Sequence, residues 1–341
     1  MTIRKLASIQ RIDHISIHTN ARNLELAHVG GWQVVVRKDQ FLKAGDIIVY
    51  MEIDSILPDK PEFDFLRHRN FRIKTIKLRG ALSQGIIFPL SILNPEILKA
   101  YDIVGDKMLG TDVTEKLGIT KYEIEAPLPQ SNAKGNFPEF IPKTDEQRLQ
   151  SAMELLDEIS GLGCYITVKE NGTSFTTYHD NGIFGICSRN LELKLDHDNI
   201  YTRIAKQYDL ENKLKTFNFN VAIQGEITGN GIQGNPMGLF VNTHQLHLFN
   251  IYNIDEHRYL NYKEFKCLAY DLNIPTVETI YHGIFNFTLE QLLEMTKGKY
   301  VGTNNDREGI VIRPLREKFS NKLQGRLSFK VINNQYLLKE K

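Results

Sequence analysis

Four prolines within a short stretch divide the chain into two parts. Residues 126–143 contain Pro127, Pro129, Pro138 and Pro142. Proline lacks the backbone N–H that helices and central strands need, so we predict that this stretch is a linker. The chain has 341 residues, more than a single hydrophobic core usually supports. We therefore predict two domains, at residues 1–125 and 144–341.

The first part of the chain is rich in short apolar runs separated by turn residues. Such runs occur at 32–36, 47–51 and 85–89. Several short strands at this spacing are typical of a small barrel or sandwich. For residues 1–125 we predict an OB-like β-barrel, the five-stranded oligonucleotide-binding fold.

The second part mixes strands with helices. Strands are predicted at 165–168, 174–178, 183–187, 220–228, 246–253 and 309–313. The second and third of these form a hairpin around Asn181 and Gly182, which tolerate the positive φ of a tight turn. Helices are predicted from a capping box at 144–147 to about residue 159, and at 198–213, 262–271 and 288–296. The pattern predicts an antiparallel-sheet domain, and the whole chain falls in the α+β class.

Composition and cysteine usage restrict the cellular compartment. No apolar run approaches the roughly 20 residues that span a bilayer. Residues 1–6 lack the apolar core of a secretory signal. The three cysteines are far apart, which indicates neither a disulfide framework nor a zinc site. These features predict a cytoplasmic or nuclear protein without a membrane contact, and we expect a monomer.

The net charge of +1 leaves nucleic acid open as a partner. Global charge is a weak criterion, because only a local basic surface must face the phosphates. Lysine and arginine cluster at 67–74. That cluster is either a nucleic-acid contact or a solvated loop, and composition alone does not decide between them.

The most informative stretch surrounds a lysine at the end of an apolar strand. Lys169 follows Val168 and is followed three residues later by Gly172. A lysine amine is a poor nucleophile while protonated, with an ordinary pKa near roughly 10.4. Partial burial and a neighbouring cation would lower that pKa and free the amine, and Gly172 would let the backbone approach a ligand closely. The alternative is an exposed lysine that enters a turn.

Further residues of suitable chemistry follow along the chain. Glu226 lies in an otherwise apolar strand, Phe249 within another, and Glu308 directly before a third. Lys330 lies in a strand near the end of the sequence. Nucleotidyl transfer needs a nucleophile, acids to hold a divalent cation, an aromatic ring for a base and cations for phosphates. Each residue alone has an ordinary structural explanation, whereas their combination in this order predicts nucleotidyl transfer.

The order of these motifs resembles that of the covalent nucleotidyltransferases, which are the ATP-dependent ligases and the mRNA capping enzymes. The segments that carry the resemblance are 169–172, 188–190, 225–226, 249–251, 308–309 and Lys330. Residues 225–233 are similar to the RNA-ligase version of the third motif. A barrel that precedes the catalytic domain resembles the Deinococcus/Naegleria type of RNA ligase.

The resemblance implies roles around the nucleotide. Lys169 would attack the α-phosphate of ATP and hold AMP as a phosphoramide. Val168 would offer backbone groups to the adenine, and Phe249 would stack on it. Asn171 and Gly172 would belong to the same nucleotide-binding site.

It also implies roles for charged residues. Glu226 would bind the ribose, and Glu308 would position a hydrated Mg²⁺ or Mn²⁺, with Glu226 as the second metal-binding carboxylate. Arg189 and Lys330 would contact the nucleotide and its phosphates. Arg148 matches a phosphate-contacting arginine of this ligase type.

One departure concerns the last motif. Related ligases often carry two lysines separated by one residue, but Ser328 and Ile332 stand at those distances from Lys330. Arg326 and Lys322 are the candidates for the second cation.

The resulting expectation is an ATP-dependent RNA ligase. It would seal a 3′-OH/5′-phosphate break, in a nicked duplex with RNA on the 3′-OH side. The first domain would grip the duplex, using Arg37, Lys38 and the basic stretch at 67–74. The activity would belong to RNA repair.

Residues 229–234 satisfy a dinucleotide-binding glycine pattern, but Pro236 follows where that fingerprint needs a helix, which argues against such a site. Three alternatives to an RNA ligase remain at this point. A DNA ligase and a GTP-dependent capping enzyme share the lysine chemistry. A catalytically silent nucleic-acid-binding protein would share the fold alone.

Overall fold

The computed structural model describes residues 4–94, 108–122 and 130–339. The chain divides into two compact units. The N-terminal unit comprises Ile3–Glu125, Leu149–Met153 and Leu337–Lys341. The C-terminal unit comprises Met1–Thr2, Ala126–Arg148 and Glu154–Tyr336.

The N-terminal unit is built from short antiparallel strands. They are β1 (Ala7–Arg11), β2 (His14–Ile17), β3 (Leu24–Val29), β4 (Trp32–Arg37), β5 (Ile47–Met51), β6 (Ser55–Ile56), β7 (Ile76–Leu78), β8 (Ala81–Ser83), β9 (Ile86–Pro89) and β10 (Thr120–Lys121). Their sheet orders are β1-β5-β9, β2-β3-β4, β7-β8 and β10-β6. Short helices add α1 (Thr114–Leu117) and 3-10 turns at Lys38–Gln40, Pro61–Arg69 and Leu90–Ile92. The three predicted apolar runs are strands β4, β5 and β9, and their inward side chains form the core.

The described part of the C-terminal unit contains two main sheets. Its strands are β11 (Ala133–Asn136), β12 (Gln147–Arg148), β13 (Gly163–Lys169), β14 (Thr173–Asp180), β15 (Ile183–Cys187), β16 (Leu191–Leu193), β17 (Val221–Gly229), β18 (His244–Asn253), β19 (Arg258–Tyr259), β20 (Thr279–Ile284), β21 (Gly309–Pro314), β22 (Phe319–Ser320), β23 (Gly325–Arg326) and β24 (Phe329–Ile332). The seven-stranded sheet has the order β11-β16-β15-β14-β17-β18-β19, and the five-stranded sheet has the order β12-β24-β21-β13-β20.

The remaining elements are helices. They are α2 (Leu155–Ile159), α3 (Ile200–Gln207), α4 (Leu210–Leu214), α5 (Tyr262–Asp271), α6 (Leu289–Thr296) and α7 (Asn334–Lys339), with 3-10 turns at Gln130–Asn132 and Leu149–Ser151. Helices α3, α4 and α5 cover one face of the seven-stranded sheet around Phe175 and Ile223. Within the described residues, no helix is both long and apolar enough to cross a bilayer.

The predicted linker at 126–143 is wrong for its described part. Strand β11 pairs with β16 at the edge of the seven-stranded sheet. Phe137 and Ile141 are buried against Tyr178 on the face opposite the helices. An edge strand needs hydrogen bonds on one side only, and Pro138 and Pro142 come after that strand has ended. Pro127 and Pro129 lie outside the described residues.

The helix predicted from a capping box at 144–147 is also wrong. Gln147 and Arg148 form β12, which runs parallel to β24. A helix begins only at Leu155, and it ends at Ile159. Pairing with a strand nearly two hundred residues away overrides the local capping pattern. The capping box at Thr288 and Gln291 is present and opens α6, as predicted.

The longer helix predicted at 198–213 is two helices. Asn199 caps α3 by accepting from the amides of Tyr201 and Thr202. Asp209 then adopts a left-handed backbone, with φ of 50°, and separates α3 from α4. The helix predicted at 262–271 has the bounds of α5.

Candidate active site

The register of two strands brings a lysine and a glutamate together. Lys169 is the last residue of β13, and its antiparallel partner is Gly309, the first residue of β21. Glu308 therefore lies beside Lys169, although 139 residues separate them. The Lys169 Nζ is 2.8 Å from one carboxylate oxygen of Glu308 and 2.9 Å from the other. The Lys169 side chain is 24% exposed, so the ion pair is accessible from outside the fold.

Without a nucleotide, Lys169 is held in its charged form. Burial lowers the pKa of Lys169, but Glu308, and after it Glu226 and Glu146, raise it, and the net shift is upward. The expectation that burial and a neighbouring cation depress this pKa is therefore wrong for the unliganded site. The reason is that carboxylates are the nearest charges to the amine.

Glu226 shows that the site carries excess negative charge. It lies in β17 opposite Ser174, and its Oε1 accepts a hydrogen bond from the Gly172 amide at 3.1 Å. Burial raises the pKa of Glu226 to about 8; Lys169 opposes that shift, whereas Glu308 and Glu170 add to it.

The two carboxylates fit a divalent cation. Carboxylate oxygens are the hard ligands that Mg²⁺ and Mn²⁺ accept, and repulsion between Glu226 and Glu308 would be relieved by a cation between them. Among the described residues, no cluster of three or more potential ligands is present. A metal here would therefore take its other oxygens from water or from phosphates.

The crossing between the two sheets explains why a glycine follows the lysine. The chain leaves β13 at Lys169 and enters β14 at Thr173. A β-carbon on Gly172 would lie 2.3 Å from the carbonyl oxygen of Ile227 in β17. Gly172 is therefore required because the backbone of β17 passes close to it. From the sequence, this glycine was expected to allow a close approach to a ligand. Asn171 lies on the same crossing and is partly buried.

A β-bulge places the aromatic ring. Gly225 of β17 pairs with Leu248, and Gln224 pairs with Asn250, so Phe249 is the extra residue of β18. Leu248 and Asn250 are buried, whereas Phe249 is partly exposed. The guanidinium carbon of Arg313 lies 5.9 Å from the centre of the Phe249 ring. Bulges re-aim a side chain next to many active sites, and this one presents a ring that a base can stack on.

Basic side chains gather on the neighbouring strands. Arg148 of β12 is the strand partner of Lys330 in β24. Burial lowers the pKa of Lys330; Asp145 opposes this shift, whereas the positive charges of Lys169 and Arg148 add to it. Three of the predicted cations therefore lie close together.

Arg189 is connected to this group through an acid. Asp145 lies 3.2 Å from an Arg189 nitrogen and accepts from Lys330 Nζ at 3.3 Å. The Arg189 side chain is 54% exposed, so it lies at the rim of the site.

The observed partners of Arg326 and Lys322, the two candidates for the second cation, are other residues than Lys330 and Arg148. Arg326 pairs with Glu317 and donates to Asn250 at 2.6 Å. Lys322 pairs with Glu154 on the surface. The cation beside Lys330 is Arg148.

Several residues of the site were missed by the sequence analysis. Glu146 accepts a hydrogen bond from the buried Arg313 at 2.6 Å. Burial by itself raises the pKa of Glu146, but the positive charges of Arg313 and Lys330 outweigh it and lower that pKa to about 2. Arg313 also donates to Ser328, and its Nη1 has no hydrogen-bond partner among the described residues. Arg313 was the signal available in the sequence, because it interrupts the apolar strand at 309–314.

Tyr300 was missed as well. Its hydroxyl donates to the carbonyl of Lys169 at 3.0 Å and accepts from the amide of Glu308 at 3.1 Å. Tyr300 therefore ties the ends of β13 and β21 together. Near it, His247 pairs with the buried carboxylate of Glu170 at 2.8 Å.

One backbone group of Val168, its amide, is already engaged. Its amide donates to the carbonyl of Glu278 at 2.9 Å. An adenine contact is not available from that amide while this hydrogen bond holds.

Two arginines of the predicted basic surface, Arg67 and Arg72, make contacts within the N-terminal unit. Arg72 is 4% exposed, and its guanidinium carbon lies 3.4 Å from the centre of the Tyr122 ring. Arg67 is paired with Asp59 and Asp64. Burial removes Arg72 from the expected phosphate contacts, whereas Lys38 is exposed.

Comparisons with known proteins identify the family of both parts of the chain. A family model described as RNA ligase matches residues 163–332, and one described as an OB-fold domain matches residues 6–90. The OB-fold match confirms the predicted N-terminal fold and the α+β class. A search of curated proteins found no match.

Solved structures of a Naegleria gruberi RNA ligase are similar over the whole chain. The form with pyrophosphate is 36% identical, covers 99% of each chain and has a TM-score of 0.88. A mutant with ATP and Mn is 36% identical, covers 99% of this chain and 98% of that chain, and has a TM-score of 0.86. A mutant with AMP and Mn is 36% identical, covers 99% of each chain and has a TM-score of 0.87. The chain described here belongs to the RNA ligase family.

Proposed function

We propose that this protein is an ATP-dependent RNA ligase that seals 3′-OH/5′-phosphate breaks through an AMP bound covalently to Lys169. The observation that carries the proposal is the position of the Lys169 amine, which contacts Glu308 and lies beside Glu226 and Lys330. The similar Naegleria enzyme has been solved with ATP and Mn and with AMP and Mn.

The first step needs a neutral amine. A divalent cation, Mg²⁺ or Mn²⁺, would supply positive charge to Glu226, Glu308 and the phosphates of ATP. With its carboxylate partners engaged in this way, Lys169 would lose the ion pairs that hold its proton and would release that proton to water. Lys330 would then favour the neutral amine further, because its like charge repels the ammonium form. The free Lys169 amine attacks the α-phosphorus, a P–N bond forms, and pyrophosphate leaves.

The nucleotide itself would be held by groups around the lysine. Phe249 would stack on adenine, and Glu226 would bind the ribose. Arg148, Lys330 and the rim residue Arg189 supply the positive charge for phosphates. The guanidinium of Arg313 lies 5.9 Å from the centre of the Phe249 ring, and its Nη1, which has no hydrogen-bond partner among the described residues, would be a further donor.

The later steps use the same positions. AMP moves from Lys169 to the 5′-phosphate of the RNA, and the amine recovers its proton. A 3′-hydroxyl then attacks that phosphate, and AMP leaves. Each step is an in-line phosphoryl transfer, in which the protein mainly positions groups and stabilises charge.

The substrate we propose is a nicked duplex with RNA on the 3′-OH side. The OB-fold unit supports this proposal, because such folds bind extended nucleic acid, and exposed Lys38 offers a phosphate contact there.

A panel of nicked duplexes tests the proposal. Each duplex carries RNA or DNA on either side of the break. Ligated product and labelling of the protein by the nucleotide are both measured, with labelled ATP or labelled GTP. We expect sealing with ATP wherever the 3′-OH strand ends in RNA. Equal sealing of all-DNA nicks would indicate a DNA ligase, labelling of the protein by GTP alone would indicate a capping enzyme, and no labelled protein at all would indicate a silent nucleic-acid-binding protein.

A further inference from the structure

One loop of the C-terminal unit is unusual in its composition. The uncharged loop, residues 230–243, connects β17 to β18. It contains no lysine, arginine, aspartate or glutamate, in a chain where 24% of residues are charged. Glycine, asparagine and apolar residues fill it instead. A loop meant to hold phosphates would carry cations, so this composition suits a different part of a nucleotide.

The uncharged loop also exposes large apolar side chains. Phe240 is 88% exposed and Val241 is 77% exposed. Of the large apolar side chains in the described part of the protein, Phe240 is the most exposed. Val301, on the loop at 299–306, is 80% exposed. An aromatic ring held in water in this way has a face free for stacking.

Hydrogen bonds fix the shape of this surface. The Asn235 side chain donates to the carbonyl of Leu239 at 2.8 Å and accepts from the Leu239 amide at 3.1 Å. Asn305 donates to the carbonyl of Pro236 at 2.8 Å, which joins the two loops. Gly238 packs so closely on Thr303 that a β-carbon there would lie 2.9 Å from the threonine methyl. The apolar residues are therefore presented by an ordered pair of loops.

Both loops begin at the site of the nucleophile. The uncharged loop leaves β17 three residues after Glu226. The other loop contains Tyr300, whose hydroxyl bonds the carbonyl of Lys169 and the amide of Glu308. The two loops are therefore connected directly to elements that carry Glu226, Lys169 and Glu308.

We infer that Phe240, supported by Val241 and Val301, stacks on a nucleotide of the RNA that flanks the break, and so positions the end for joining. This inference rests on the proposed ligase function and adds a base-stacking contact to it. Base and ribose faces suit an apolar, uncharged surface, because every base offers a π-face and stacking needs no charge on the protein. Asn230, Gln233 and Asn242 are exposed on the uncharged loop and add neutral hydrogen-bonding groups of the kind that meet base edges.

The test uses the full chain and a nicked RNA duplex whose 5′-phosphate already carries AMP, without added ATP. This substrate reports only the joining step. Phe240→Ala should lower kcat/KM for joining by about fivefold or more, which is the effect of losing one stacked base. Phe240→Tyr keeps the ring and should remain close to the wild type. Self-adenylylation with ATP should be unchanged in both variants.

Tyr270→Ala is the matched control, because Tyr270 is an aromatic residue 85% exposed on α5, outside both loops. It should join like the wild type. An abasic nucleotide placed in turn at each position beside the break identifies the stacked base, since Phe240→Ala should cost nothing further at that position.

Three results would overturn the inference. Phe240→Ala could join at the wild-type rate, or it could lose self-adenylylation as much as joining, which would indicate support of the fold. In sedimentation, the wild type could self-associate and Phe240→Ala could fail to do so, with no effect of the substitution on joining. That result would indicate that a second copy of the chain covers this surface. A wild type that forms no AMP adduct would contradict the proposed function itself, and it is recognised before any variant is compared.

Discussion

At the scale of single residues, the site combines a charged nucleophile with more acid than it can neutralise. Lys169 pairs with Glu308, and Glu226 remains with a raised pKa because burial and two nearby carboxylates disfavour its charged form. Without a bound metal, repulsion between these carboxylates is an electrostatic strain on the site. Binding of ATP with a divalent cation would relieve that strain, which couples nucleotide binding to release of the amine.

The raised pKa of Glu226 predicts a pH-dependent cost in stability. Below about pH 4.5, the carboxyl is protonated in both the folded and the unfolded chain, and it contributes nothing. Between there and about pH 8 only the unfolded chain ionises it, so the free energy of unfolding falls as pH rises, and above pH 8 the loss is constant. Glu226→Gln stays neutral and avoids this loss.

We therefore expect Glu226→Gln to be as stable as the wild type near pH 5 and more stable above pH 8. The gain should be about 1–3 kcal/mol, which is less than the full shift implies because the side chain is partly exposed. Denaturant unfolding of the ATP-free and metal-free protein across this range measures it. Glu294→Gln, at an exposed carboxylate, is the control. A gain that does not change with pH would contradict the assigned charge state of Glu226.

Some residues of the site could be predicted from the sequence and others could not. Lys169, Glu226 and Glu308 each stand at the end of a strand or inside an apolar one, and their motif order resembles a known family. Glu146 was misread as part of a helix cap, and Tyr300 gave no local signal. Glu146 contacts Arg313, and Tyr300 contacts Lys169, across long stretches of sequence, and local patterns do not encode such contacts.

At the scale of elements, the bulge in β18 is the feature that sets the position of Phe249 in the proposed nucleotide site. The strand itself was predicted from its apolar run, and it spans His244–Asn253. The bulge was not predicted, because it depends on the register between β17 and β18. Without the extra residue, Phe249 would occupy a regular position in the sheet and the aim of its ring would change.

In the proposed nucleotide site, we expect Phe249 to contribute much of the affinity for ATP. Phe249→Ala should weaken ATP binding by about fivefold to a hundredfold, the range expected for loss of one stacked base. Phe249→Tyr should retain most of the affinity. Calorimetric titration with ATP and Mg²⁺ gives the dissociation constants, and Phe319→Ala, at a phenylalanine 60% exposed elsewhere in the unit, serves as the control. Unchanged affinity in Phe249→Ala would remove this ring from the nucleotide site.

At the scale of the whole molecule, the chain contains an OB-fold unit and a ligase unit, and its composition gave little indication of either. The proline-rich stretch, which was predicted to be a linker, belongs to the C-terminal unit. It did not reveal that Leu149–Met153 belong with the N-terminal unit. There the Gly31 amide donates to the Gln150 carbonyl at 2.9 Å, and the Trp32 indole donates to Ser151 at 3.1 Å. These contacts join residues more than a hundred positions apart, so no periodicity in either segment could indicate them.

The central claim is that Lys169 becomes covalently adenylylated, and intact-mass measurement tests it most directly. The full chain is incubated with ATP and Mg²⁺, and the Lys169→Ala variant is treated in parallel. We predict that the wild type gains the mass of one AMP group, that the modified peptide contains Lys169, and that the alanine variant gains nothing. An alanine variant that still acquires AMP, or a wild type that never does, would contradict the account.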